Sequence, residues 1–419
     1  MIAKYLTFIL LFLYVALLLV NINYVPTVIG DENTYSSSIW SLIDGRVNAN
    51  NHPLLAKTIW LFFVFIGNGF FGSNAPLFWR VGTIILSAGT LVVFYNIAQN
   101  FFSSAVSLIA TIFLAIDPMY FAFGRLIHLE IPALFFLLMS LYFFLEFDKK
   151  QKFKFLVFSS LFLGLSLAAK LMALGVFSLL LAYLLVIKFK TKYDLRTAIK
   201  NSLAFFALTI SSFVLGNIVF FFKDSGGTNF LSYTFDLIRT QTFAGLESAN
   251  FQNSTAWSWF AVPQIISLYR LNFQDRVESI IAFQNPIFFA LTLTSFFYLS
   301  FFIFNNFSKN KPLMIVLMYF IGLYFFWFLG LHGTYYYYIV PILPFSILMA
   351  TFLITKISKY PEKILIKMLP ASILVFAFVY PLLAGINIPK KYDLLVYKYS
   401  LIKYPEINTL FCQNCFPRK

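Results

Sequence analysis

Long apolar runs separated by short polar segments dominate the chain from end to end. A helix crossing a bilayer needs about 20 mostly apolar residues, because each residue rises about 1.5 Å through a hydrocarbon core about 30 Å thick. Segments of that kind lie near residues 5–23, 77–98, 103–117, 129–147, 155–169, 171–187, 202–222, 286–304, 313–330, 338–355 and 366–384. They predict an all-α polytopic membrane protein with about 11 transmembrane helices. The runs at 103–117 and 155–169 are short and are expected to lean on protein neighbours. The run from Pro53 to Phe71 carries Lys57 and two internal glycines, and reads as a helix lying in the membrane interface. The first run is expected to stay as a span, since Asn21–Pro26 offers no small-residue cleavage pattern.

Composition agrees. Apolar residues make up 60% and charged residues 11%, against about 45–50% and about 25% in soluble domains. The 56 Phe and 24 Tyr exclude a disordered chain. The net charge of +15 needs a location before it has a meaning. Lys4, Lys149–Lys154, Lys188–Lys200, Lys309–Lys311 and Lys356–Lys367 fall between spans on one side, and short cytoplasmic loops favour Lys and Arg. The N-terminus is therefore expected inside and the tail outside. The surplus charge then faces anionic lipid rather than nucleic acid.

This topology leaves outer segments 24–76 and 223–285 within a transmembrane domain of residues 1–384. A short outer tail, 385–419, is too small for a core of its own. Sparse charge with heavy Phe, Lys, Asn and Ile usage hints at an AT-rich prokaryotic genome, hence a plasma-membrane location.

Ionisable residues beside apolar spans are costly, so their positions are informative. Three groups fall at the outer face: Asp31-Glu32 followed by His52 and Lys57; Asp117 followed by Arg125, His128 and Glu130; and His332 with Tyr335, Tyr336, Tyr337 and Tyr338. Lys170, between two apolar helices, joins them. Each has a plainer reading as well: an aqueous span end for Asp31-Glu32, an Arg125–Glu130 ion pair, a snorkelling Lys170, an aromatic belt for the tyrosines. Their convergence on one face is what points to an active site.

In order and spacing these residues resemble the dolichyl-phosphate-mannose protein O-mannosyltransferases and the bacterial aminoarabinose transferases of lipid A, multi-spanning glycosyltransferases of the GT-C class. Asp31-Glu32 looks like the Asp-Glu pair opening the first outer loop. His52-Pro53-Leu54-Leu55-Ala56-Lys57 is similar to a His-Pro-Pro-Leu-Gly-Lys motif, with Leu54 and Ala56 replacing Pro and Gly. Arg125 to Glu130-Ile131-Pro132, Gly164 to Lys170, and the tyrosines before Pro341 and Pro344 resemble later motifs, with Glu130 where Asp is usual. Trp257-Ser258-Trp259 is similar to a Trp-rich stretch near the end of the long outer loop.

The resemblance implies sugar transfer from a polyprenyl-phosphate donor to a protein or to a lipid or glycan acceptor on the outer face. Asp31 is the expected general base of an inverting displacement. Glu32, on a segment expected to be extended, would point away from Asp31 and position acceptor or sugar. Arg125, Lys170 and His52 are candidates for the donor phosphate. Glu130 either pairs with Arg125 or holds sugar hydroxyls. Lys57, His128, His332, Tyr335 and Tyr336 are expected to line the cavity. No cofactor is required, and no histidine pair has the spacing of a zinc site, although a divalent metal is compatible with the family. Cys412 and Cys415 read as a local disulfide on the outer side. The competing class is a transporter or flippase of lipid-linked sugars, which would show paired halves and mid-depth charges; no internal repeat is visible.

Overall fold

The computed structural model describes residues 2–22, 29–47, 52–71, 76–186, 194–243, 253–254, 256–305, 310–328 and 334–398. Its first half runs α1 (Ile2–Leu19), α2 (Asp31–Ile43), α3 (Leu55–Phe71), α4 (Pro76–Ala98), α5 (Ser104–Ala115), α6 (Pro118–Phe123), α7 (Glu130–Lys150), α8 (Phe153–Ala169), α9 (Leu174–Val186) and α10 (Leu195–Gly216). The second half holds α11 (Phe230–Phe243), β1 (Asn253–Ser254), β2 (Ile266–Asn272), β3 (Arg276–Ala282), α12 (Pro286–Asn305), α13 (Lys311–Phe328), β4 (Thr334–Tyr335), α14 (Leu343–Ile357), α15 (Pro361–Leu383), β5 (Ile388–Pro389) and α16 (Lys390–Lys398). Each apolar run expected to span is a helix, because a segment in lipid must satisfy its own backbone hydrogen bonds.

Among the described residues, six helical stretches are long and apolar enough to cross a membrane: Phe78–Ala98, Glu130–Lys150, Leu195–Gly216, Pro286–Asn305, Tyr336–Ile357 and Pro361–Leu383. The other expected spans, α1, α5, α8, α9 and α13, are shorter, down to 12 residues in α5. At about 1.5 Å per residue α5 reaches about 18 Å, short of the hydrocarbon core. α7 and the stretch leading into α14 are the most buried of the long helices and form the centre.

Close crossings fix where α8 delivers its last residue. A Cβ on Gly164 would lie 2.3 Å from the Thr209 carbonyl of α10. Backbone cannot yield there as a flexible side chain would, so Gly164→Val is expected to destabilise the protein by about 1–3 kcal/mol. Denaturant unfolding in detergent measures this, and an unchanged midpoint would show that the crossing tolerates bulk.

α3, expected as an interfacial helix, buries Lys57, Trp60 and Val64 and turns Phe62 and Phe65 outward. The Trp60 indole donates to Thr83 of α4 at 3.0 Å.

The small sheet was not anticipated. β2 and β3 form an antiparallel hairpin with an irregularity between Ser267 and Tyr269, and β5 adds to β3. The start of the tail is thus a third strand rather than a free segment. α16 then returns Asp393 to Arg270 of β2, a buried ion pair at 2.5 Å. The hairpin passes over the entry to α2, where the Leu268 carbonyl would lie 3.5 Å from a Cβ on Gly30. Gly30 has φ +49° and ψ −126°, a backbone that side chains disfavour, and this turn makes Asp31 the first helical residue.

Candidate active site

Two carboxylates stand at helix starts on the same end of the bundle: Asp31 opens α2 and Glu130 opens α7. The partial positive charge of a helix N-terminus favours an ionised acid at both places. Lys170 ends α8 as an extended residue, and a 3₁₀ turn, Tyr336–Ile342, precedes α14. These four elements and the Ile127-His128 link build one chain of contacts.

Asp31 Oδ2 accepts a hydrogen bond from the Tyr337 hydroxyl at 2.9 Å and faces His128 Nε2 at 3.3 Å. His128 Nδ1 contacts Glu130 Oε2, and Glu130 Oε1 accepts from Lys170 Nζ. Lys170 Nζ also lies 4.1 Å from the centre of the Tyr338 ring and 5.5 Å from Trp327. His128, Glu130 and Lys170 are buried, whereas 42% of the Asp31 side chain is accessible. Asp31 is the open end of an otherwise enclosed chain.

The electrostatics follow from these contacts. Desolvation opposes ionisation of Asp31, but the hydrogen bond and charge of His128 and the Tyr337 bond outweigh it and hold the carboxyl below its ordinary value. Burial pulls His128 down, yet the charge of Glu130, the hydrogen bonds to Asp31 and Glu130 and the charge of Asp31 raise it to about 9. His52 is the opposite case: desolvation, then the positive charges of Lys170 and Lys57, push it down to about 3. Its ring reaches the cluster through Tyr35, whose centre is 6.0 Å from His52 and 5.8 Å from His128. His52 Nδ1 lies 3.3 Å from Gln241 Nε2 of α11, and Lys57 Nζ donates to the His52 carbonyl at 3.0 Å.

Three expectations change. Asp31-Glu32 is helical, not extended, and Glu32 points into the protein. Arg80 of α4 grips both its oxygens, Nε to Oε1 at 3.0 Å and Nη2 to Oε2 at 2.6 Å. The same oxygens accept from the amides of Ile127 at 2.8 Å and Ile29 at 3.1 Å. Glu32 therefore ties together the residues just before His128 and just before Gly30.

Arg125 neither pairs with Glu130 nor opens toward Asp31. It is buried, with Nη2 donating to the Val20 carbonyl at 2.8 Å and Nη1 3.5 Å from the Leu383 carbonyl, joining the ends of α1 and α15. Lys170 does not snorkel, because Glu130 holds it inside.

The tyrosine run divides by the geometry of the turn. Tyr337 reaches Asp31, Tyr335 stacks on Tyr337 at 5.4 Å, and Tyr336 is buried. His332, Cys412 and Cys415 lie outside the described residues. Sequence reasoning did not single out Tyr337 and missed Arg80; a lone Arg within an apolar span demands a partner and was the available signal for the second.

The fold is shared with solved membrane glycosyltransferases. The Saccharomyces cerevisiae protein O-mannosyltransferase Pmt1-Pmt2 complex bound to the sugar donor gives a TM-score of 0.80 at 13% identity, over 97% of this chain and 93% of that one. ArnT from Cupriavidus metallidurans bound to undecaprenyl phosphate gives 0.55 at 12% identity, over 89% and 64%. The Archaeoglobus fulgidus oligosaccharyltransferase in the apo form gives 0.57 at 14% identity, over 96% and 60%. No curated protein is significantly similar in sequence. The dolichyl-phosphate-mannose-protein mannosyltransferase family model matches residues 8–223, just over half of the 419 residues. The chain belongs to that family and is an integral membrane glycosyltransferase of the GT-C fold.

Proposed function

We propose that the protein transfers a mannose-like hexose from a polyprenyl-phosphate donor to a protein, lipid or glycan acceptor on the outer face of a prokaryotic plasma membrane, with its N-terminus inside. The observation that carries this reading is the accessible Asp31 carboxylate, held by His128 and Tyr337. The sugar donor in the yeast complex and the undecaprenyl phosphate in ArnT support the donor class. Orientation is supported by charge: Lys149 and Lys150 end α7, whose 21 residues put them about 30 Å from Glu130, on the side away from Asp31.

In the proposed step an acceptor lone pair attacks the anomeric carbon, and the bond to the phosphate oxygen breaks with its electron pair left on the phosphate. The acceptor proton passes to Asp31. One displacement inverts the anomeric centre. Proton, leaving-group charge and orientation are all assigned to side chains, so the reading invokes no metal or other cofactor.

With Arg125 and Lys170 occupied by internal partners, His52 is proposed to meet the donor phosphate, with Lys57 behind it. Negative charge arriving there favours the protonated ring, which then donates a charge-assisted hydrogen bond. His52→Ala is expected to raise the donor KM about tenfold, the effect of one such bond; an unchanged KM would remove His52 from the donor site.

Purified protein incubated with polyprenyl-phosphate sugars and candidate acceptors tests the whole reading. Donor consumption matched by acceptor modification is expected. Movement of intact lipid-linked sugar across vesicles without transfer would establish a flippase instead.

A further inference from the structure

The chain from Asp31 to Lys170 contains more than a base needs. Both imidazole nitrogens of His128 are aimed at carboxylates, Nε2 at Asp31 and Nδ1 at Glu130. An ionised carboxylate only accepts, so each nitrogen must carry its proton if both acids are ionised. Glu130 is kept ionised by Lys170 and by the N-terminus of α7. The ring cannot turn away, because Phe123, Tyr337 and Tyr35 stand edge-to-face around it, with centres 4.6, 4.9 and 5.8 Å distant.

We infer that His128 is a positioning residue for the transfer step, an imidazolium clamped by Glu130 and Lys170 that occupies Oδ2 of Asp31 and leaves Oδ1 for the acceptor hydroxyl. The inference rests on the proposed role of Asp31 as base. The titratable groups facing the Asp31–His128 pair are Tyr337 and Tyr338 in the 3₁₀ turn, Tyr335 just before it, Glu130 of α7, Lys170 after α8, Tyr35 of α2 and His52 ahead of α3.

The clamp has an electrostatic consequence for the reaction. Before transfer, Asp31, Glu130, His128 and Lys170 carry two negative and two positive charges. When Asp31 Oδ1 takes the acceptor proton, His128 keeps both of its own and the cluster gains one net positive charge. This happens as the departing phosphate gains negative charge, so the developing charges attract.

Nitrogen-15 NMR of histidine-labelled full-length protein in nanodiscs tests the inference without using activity. The resonances lost in His128→Gln identify His128 in the native spectrum. They are expected to show two protonated nitrogens at pH 7.5 and to lose one near pH 9; a neutral single tautomer at pH 7.5 overturns the inference. If no polyprenyl-phosphate sugar is turned over, the proposed function falls, while the spectrum still decides the state of His128.

Kinetics provide the second readout. His128→Gln is expected to lower kcat about 100-fold with little change in donor KM. Removing the positive charge raises the Asp31 pKa, so the acid limb of the rate profile is expected to move up by about one pH unit. A fall in kcat with the acid limb unmoved would assign His128 a merely structural role and overturn the inference.

Discussion

Replacing Asp31 by Asn is expected to reduce sugar transfer by about a thousandfold or more, within the range a positioned general base contributes. Asparagine is nearly isosteric, and its amide oxygen still accepts from the Tyr337 hydroxyl. It has no basic lone pair for the acceptor proton. The fold is expected to survive, because the Asp31 side chain is 42% accessible and the buried contacts of Glu130 with His128 and Lys170 remain. Labelled sugar transfer, read beside detergent elution and melting profiles, measures both parts. Wild-type turnover in a folded Asp31→Asn protein would place the base elsewhere.

The pH profile of the unaltered protein carries the same assignment. His128 and Tyr337 hold the Asp31 carboxyl below its ordinary value of about 4. The base is therefore ionised throughout the neutral range, and the rate is expected to fall only as pH drops through that lowered value. At the alkaline end, deprotonation of His128 near pH 9 removes one of its two hydrogen bonds to carboxylate and ends the plateau.

The positions of the helices were readable because lipid forces each span to close its own hydrogen bonds, leaving length and hydropathy as sufficient signals. The convergence of Asp31, His52, His128, Glu130 and Lys170 was readable for a related reason: each lies at the same end of a span or in the loop beside it. Their pairings were not. Whether Glu130 meets Arg125 or Lys170 depends on the rotation of α7 and α8 about their axes, set by packing such as the Gly164 crossing. The choice of Tyr337 over Tyr336 depends on a 3₁₀ turn that four consecutive tyrosines do not announce. The hairpin β2–β3 has a partly alternating pattern and a local turn, but its partner β5 comes from beyond residue 385. A contact that distant in sequence leaves no periodic trace.

Glu32 separates the two ways an adjacent acidic pair can be used, and cutting its link to Arg80 is the change expected to harm the fold most. Both side chains are nearly inaccessible, at 1% and 3%. Glu32→Ala leaves the guanidinium buried without its carboxylate and strips the amides of Ile29 and Ile127 of their acceptor. Breaking one side of a buried pair is expected to destabilise the protein by about 3–5 kcal/mol. Arg80→Met has the reciprocal defect, an unpaired buried carboxylate. Combining Glu32→Gln with Arg80→Met removes both charges and keeps an amide oxygen for at least one backbone donor, so the double variant is expected to be more stable than Arg80→Met alone. Denaturant unfolding in detergent compares them. If Glu32 instead served to hold sugar or acceptor, Glu32→Ala would unfold like the parent and show its defect only as a raised KM. The four bonds that saturate Glu32 predict the opposite order: lost stability first, and lost transfer because Ile29 and Ile127 no longer hold Asp31 and His128 at 3.3 Å.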